Sequence, residues 1–233
     1  MRIMKVIWRL AFWIALAIIA MLAWNNRDAL VRDLAVPLGE VVPGMANSRP
    51  AFEAWLEEDP ERSAQFARFR GYLVEQGLAD VVEPWQLMRI DTFYASRCET
   101  DPFLIPPENL WPNVLPALRL VRDEVKPAVG PVEVLSSYRT PELNVCAGGA
   151  SRSNHLDFSA VDLATNPRRR GQPLYRELCA MHEAAGPASR MGLGAYYDPG
   201  EEGFGGGRFH IDGEGYRSWG RGYSTASSPC RVF

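Results

Sequence analysis

Ser153-Asn-His155-Leu-Asp-Phe-Ser-Ala-Val-Asp162, followed later by Arg208-Phe-His210-Ile-Asp212, are the stretches on which the reading of this chain turns. They hold two of its three histidines. If the loop after His155 delivers Val161-Asp162-Leu163 as a strand, the His155 and Asp162 side chains turn toward one point. His210 follows on a second expected strand, after Gly205-Gly-Gly207, where the backbone is free to bend sharply. Zinc in hydrolases is commonly held by three protein ligands drawn from histidines and carboxylates, with one position left open. His155, Asp162 and His210 meet that count. Asp212, two residues beyond His210, points to the same face of a strand.

Around these stretches the apolar pattern predicts short strands over 132–139, 160–164, 192–197, 208–212 and 216–219. A helix is expected over 174–185, and helical spacing returns over 114–125, closed by a turn at Pro127-Ala-Val-Gly-Pro131. The Pro-rich run 103–112 reads as a loop. The pattern is α+β: a small, mostly antiparallel sheet with flanking helices. Upstream, Phe52, Trp55, Leu56, Phe66, Phe69 and Leu73 in a charged background predict one or two amphipathic helices packed on that core. The expected organisation is an N-terminal transmembrane anchor (1–24), a tether (25–50), a helical preface (51–83) and a catalytic domain (84–233).

The anchor reading rests on basic Arg2, Lys5 and Arg9 ahead of an apolar run ending at Trp24. Val6 to Trp24 is roughly 19 residues, about enough to cross the hydrocarbon core if Arg9 snorkels. The basic end stays cytoplasmic, which places the domain on the periplasmic or exterior side of the inner membrane. The full chain has 25 Lys and Arg against 28 Asp and Glu. An acidic balance argues against nucleic acid, whose binding rests on neutralising phosphates. Oligomeric state is not readable. Cys98, Cys146, Cys179 and Cys230 all lie beyond the anchor, in what would be an oxidising compartment. Three pairings are open; nearness in sequence points to Cys98 with Cys146 and Cys179 with Cys230. A nucleophilic Cys146 with His155 as its base is the sharper alternative.

Four blocks occur in order across residues 136–219: Ser136-Ser-Tyr-Arg-Thr-Pro-Glu-Leu-Asn144, then 153–162, then Gly192-Leu-Gly-Ala-Tyr-Tyr197, then Phe209-His-Ile-Asp212 with Tyr216-Arg-Ser-Trp219. Together they resemble the M15 family of zinc peptidases, the D-alanyl-D-alanine carboxypeptidases and murein endopeptidases, and within it a YcbK/MepK-like branch. The resemblance implies an M15/hedgehog-like core, Zn2+ bound by His155, Asp162 and His210, and peptidoglycan stem peptides as substrate. It makes Arg139 a candidate for gripping a substrate carboxylate or carbonyl, a task suited to a planar guanidinium fork. Tyr138, its neighbour on an alternating strand, should face the other way.

Many family members carry an acid three places before the last histidine as general base. Here that position is Gly207. Asp212 is the in-motif candidate for that role, or else the partner that orients a zinc-bound histidine; Glu201 and Glu202 in the Gly-rich insertion 198–207 are further candidates. Arg152, Arg168, Arg169 and Arg170 form either a basic rim or a solvated turn, and His182 lies outside every motif. The rival from another class is a non-catalytic, zinc-containing wall-binding module, since a shared fold does not guarantee hydrolysis.

Overall fold

Short alternating runs assemble into one five-stranded sheet: β1 (Val132–Ser136), β2 (Ala160–Thr165), β3 (Gly192–Ala195), β4 (Phe209–Asp212) and β5 (Arg217–Trp219), in spatial order β1-β2-β4-β3-β5. β1, β2, β4 and β3 pair antiparallel, and β5 adds to β3 in parallel. This computed structural model describes residues 46–197 and 206–233. The expected anchor, most of the tether, and Glu201 and Glu202 lie outside the described residues. Within them, no helix is long and apolar enough to cross a membrane.

Because side chains alternate across a strand, the sheet separates two chemistries. Val134, Val161, Leu163, Leu193, Phe209 and Ile211 are fully buried in the main apolar cluster. The opposite set, Asp162, His210, Asp212, Arg217 and Trp219, forms the site described below.

The helical preface consists of α1 (Arg49–Glu57) and α2 (Pro60–Glu75). Each starts with a side-chain cap and a proline in its first turn: Ser48 accepts from the Ala51 amide, and Asp59 from the amides of Glu61 and Arg62. α2 stops at Gly77, whose φ of +65° suits glycine; its amide donates to Val74 O (3.0 Å) and the Leu78 amide to Leu73 O (2.9 Å). Phe52, Phe69, Leu73 and Leu78 are at most 2% exposed and share one cluster with the sheet. At about 2 kcal/mol each, these four side chains give a gross burial of about 8 kcal/mol. That is comparable to the net stability of a whole domain, so the preface is integral to the fold.

Several boundaries differ from expectation for local reasons. The strand predicted to reach Arg139 ends at Ser136, because Thr140-Pro141 caps and opens α6 (Pro141–Cys146). The Pro-rich run is not wholly loop: its end enters a 3-10 helix (Glu108–Val114). The expected turn at Pro127 is helical instead. α4 (Leu115–Leu120) passes through a π turn (Val121–Val125) into α5 (Lys126–Val129), and the chain breaks only at Gly130, φ +85°. A proline ring cannot donate to the ladder and crowds the preceding turn; the widened turn just upstream accommodates Pro127. α7 (Gln172–Ala185) matches the predicted helix and ends at Gly186.

Two disulfides join Cys98 to Cys146 and Cys179 to Cys230, the pairing that nearness in sequence favoured. The first ties the end of α3 (Thr92–Arg97) to the end of α6, and the second ties α7 to the C-terminal segment. Cys146 therefore has no free thiol, and the cysteine-nucleophile alternative is overturned.

Candidate active site

The sheet register builds the centre. Asp162 on β2 pairs directly with His210 on β4, so both side chains leave the same face side by side. His155 comes from the loop before β2 and is fixed by its backbone: its carbonyl accepts from the Arg139 amide at 2.9 Å. His155 Nε2 faces Asp162 Oδ2 at 3.3 Å, and His210 Nδ1 faces Asp162 Oδ1 at 3.1 Å. Potential ligand atoms of the three residues lie within 4.8 Å of one another, and each residue is at most 5% exposed.

The outward ring nitrogens decide whether this set fits a metal. His155 Nδ1 sits against the Ser137 carbonyl, which only accepts, so Nδ1 carries the proton and Nε2 presents a lone pair toward Asp162. His210 Nε2 sits 3.1 Å from Asp212 Oδ2, which leaves Nδ1 as its inward atom. A metal-binding histidine characteristically has its second nitrogen held by an acceptor in this way. Two nitrogens and a carboxylate are a donor set suited to zinc, and the residues fit such an ion.

The electrostatics agree with that geometry. Burial, reinforced by the Arg139 guanidinium, pushes the His155 imidazole down to about 4, so it is neutral at neutral pH. Burial alone would raise the Asp162 carboxyl, yet Arg208 and the two histidines hold it well below the usual carboxylate range. Burial lowers His210 as well, but its two aspartate partners outweigh this and raise it. Asp212, against its own burial, is held at about 2 by His210 and Arg217.

The three residues lie in a cleft of about 700 Å³. Arg139 and Arg208 both donate to Asp162 Oδ2, at 2.9 and 2.5 Å, and Arg208 also reaches Asp91 at 2.8 Å. Arg139 is 8% exposed, and its Nε has no hydrogen-bond partner. A buried donor without a partner is uncommon in a folded protein. Tyr138 does not line the cleft and packs on the Phe158 ring, although β1 ends before it and strand alternation is not the cause. Arg208 was missed from sequence, although its signal was present: Arg208-x-His210-x-Asp212 puts all three on one face. Arg152 and Arg168 line the cleft, whereas Arg169 pairs with Glu177. His182 stacks on Tyr216, 4.2 Å between ring centres, and contacts Met191 O.

The general base is not at position 207. Gly207 has φ +74°, and a Cβ there would lie 2.0 Å from the Arg169 carbonyl oxygen. Asp212 does not line the cleft either; it is fully buried behind His210, bound by Arg217 and the Glu214 amide. Of its two readings, the geometry favours orienting His210. Among the described residues Asp162 is the one carboxylate lining the cleft.

A His-Asp-His group lining a cleft beside a sheet is an arrangement that could hold a catalytic metal ion. Residues 94–192, less than half of the chain, match the family model described as Peptidase M15, so that stretch is similar to M15 peptidases. Peptidases of that family are zinc-dependent. The match contains Arg139, His155 and Asp162; His210 and Asp212 lie beyond it and are brought in by the sheet register. It does not reach the YcbK/MepK-like branch. No curated protein and no solved structure matches the chain.

Proposed function

We propose that this chain is a membrane-anchored zinc metallopeptidase that hydrolyses peptide bonds in peptidoglycan stem peptides, trimming terminal D-alanine or cutting cross-links. The observation that carries the reading is the convergence of His155 Nε2, Asp162 and His210 Nδ1 at the cleft floor, each histidine braced from behind. The basic, apolar N-terminus supports an anchor in the cytoplasmic membrane with the domain on its outer side.

When bound, zinc would polarise the scissile carbonyl and acidify water for attack. The protein's own groups account for the rest. His155 and Asp162 reach neutral pH already deprotonated. Arg139, at the cleft wall with one Nη fixed on Asp162, brings a cation to the place a substrate oxygen would occupy. Asp212 keeps the His210 ring turned with Nδ1 inward.

One observation favours the second reading, a zinc-containing wall-binding module without catalysis: among the described residues the cleft offers no carboxylate for proton transfer besides Asp162. Incubating the purified protein with cross-linked muropeptides, with and without chelator, separates the two. Chelator-sensitive release of D-alanine or of uncross-linked monomers supports the peptidase and names the bond cut. Zinc-dependent retention on purified wall, with every muropeptide intact, supports the module.

A further inference from the structure

The register across β4, β3 and β5 places two rows of residues on the site face. In one row His210, Gly194 and Trp219 are successive partners; in the other, Asp212, Gly192 and Arg217. The middle strand contributes only glycine to both rows. A Cβ at Gly192 would lie 2.5 Å from the Asp212 carboxylate, and one at Gly194 would lie 2.9 Å from His210 Cβ and 3.0 Å from the Trp219 ring. The missing side chains open a window through which β5 reaches over β3 to β4. Through it Arg217 makes a two-pronged contact with Asp212, Nη1 to Oδ1 at 3.0 Å and Nη2 to Oδ2 at 2.8 Å. Trp219 sets its ring edge-on to His210, 5.1 Å between centres, and the Arg217 guanidinium lies 4.9 Å from the same Trp ring.

Asp212 Oδ2 is the atom that receives His210 Nε2. A bidentate guanidinium fixes a carboxylate in plane as well as in charge, and so fixes the direction in which Asp212 holds the imidazole. We propose that Arg217 is a positioning residue for the metal centre. It acts on His210 through Asp212 across the Gly192 window, with Trp219 bracing the ring through the Gly194 window. This rests on the zinc reading above. Nearly all of the device lies beyond the stretch matched by the M15 family model, which ends at Gly192.

The test measures zinc affinity of the full chain by competition with a chromogenic chelator, alongside the thermal midpoint of the metal-free form. Arg217→Gln and Asp212→Asn should each weaken zinc by about 10–100-fold, the usual cost of losing a partner behind a metal ligand. The double variant should lie within about threefold of the weaker single, because Arg217 acts through Asp212. Arg217→Lys, which restores charge without the fork, should fall between wild type and Arg217→Gln. Gly192→Ala, touching no ligand, should weaken zinc by displacing Asp212. An Arg217→Gln affinity within about threefold of wild type, or single losses that multiply in the double variant, overturns the proposal. So does a lowered metal-free midpoint with unchanged zinc affinity, which would make the row packing alone. If wild type itself takes no zinc, the zinc reading has failed and this inference with it; a wild type that binds, with variants that bind equally, sinks the inference alone.

Discussion

Gly207→Glu would place an acid three residues before the last histidine, and the structure predicts that it damages the fold. Position 207 has φ +74°, and a left-handed backbone costs a residue with a Cβ roughly 1–2 kcal/mol. The ideal Cβ lies 2.0 Å from the Arg169 carbonyl oxygen, a backbone atom with no flexible end to yield. Overpacking of that kind costs about 1–3 kcal/mol. The combined penalty of about 2–5 kcal/mol corresponds to a fall of about 4–20 °C in thermal midpoint for a chain of this size. Scanning calorimetry on metal-free protein reads it without interference from zinc binding. Gly207→Ala should show most of the loss, since both causes act at Cβ. Gly206→Ala is the control: nothing lies within 4 Å of its Cβ, and its φ is not in the left-handed range. A Gly207→Glu protein with a wild-type midpoint and faster muropeptide cleavage would falsify this reasoning and reinstate position 207 as a site for the base.

Replacing Cys98 and Cys146 by serine opens a loop of 48 residues' separation; in the chain-entropy picture this costs about 4 kcal/mol, seen as a lower urea midpoint. Arg208→Gln removes a cation shared by Asp91 and Asp162 and should destabilise the metal-free protein by about 2–4 kcal/mol. Zinc should recover part of that loss by supplying charge beside Asp162; equal losses with and without zinc would contradict the assignment. The metal-free protein should lose stability on both sides of about pH 6.5. His155 is depressed to about 4 in the fold, so its contribution is complete above the unfolded value and lost as pH falls toward 4. His210 is raised, so its contribution is complete below the unfolded value and lost as pH climbs through the folded one. Thermal midpoints against pH on chelator-treated protein check both arms, and His155→Gln should flatten the acid arm.

Much of this was legible in the sequence because period and chemistry coincide. Val161-Asp162-Leu163 and Phe209-His210-Ile211-Asp212 alternate apolar with polar, so the same pattern that marks strands also gathers the polar set on one face. All five strands and the shared face of Asp162 and His210 followed from it, whereas His155 comes from a loop and joined the group through the count of metal-type donors and the M15 resemblance. The parallel pairing of β5 with β3 did not, because pairing partners are set by tertiary packing rather than by local period. Without that register, Gly192 and Gly194 read as small residues in a weak strand, and Arg217 as a surface cation. Pro127 misled because proline signals a helix end only when the preceding turn cannot widen, and the π turn at Val121–Val125 does widen. Asp212 stood open between two roles, since alternation fixes the face of a strand but not the depth. Its complete burial behind His210 is what separates proton transfer from orientation.

In the proposed centre His210, outside the matched stretch, joins His155 and Asp162 as a metal ligand. The most direct measurement is metal content after dialysis, by plasma mass spectrometry, on wild type and His210→Ala purified identically. Wild type should retain about one zinc per chain and His210→Ala almost none, with the variant still folded by circular dichroism. Equal zinc in both proteins, or none in either, would contradict it.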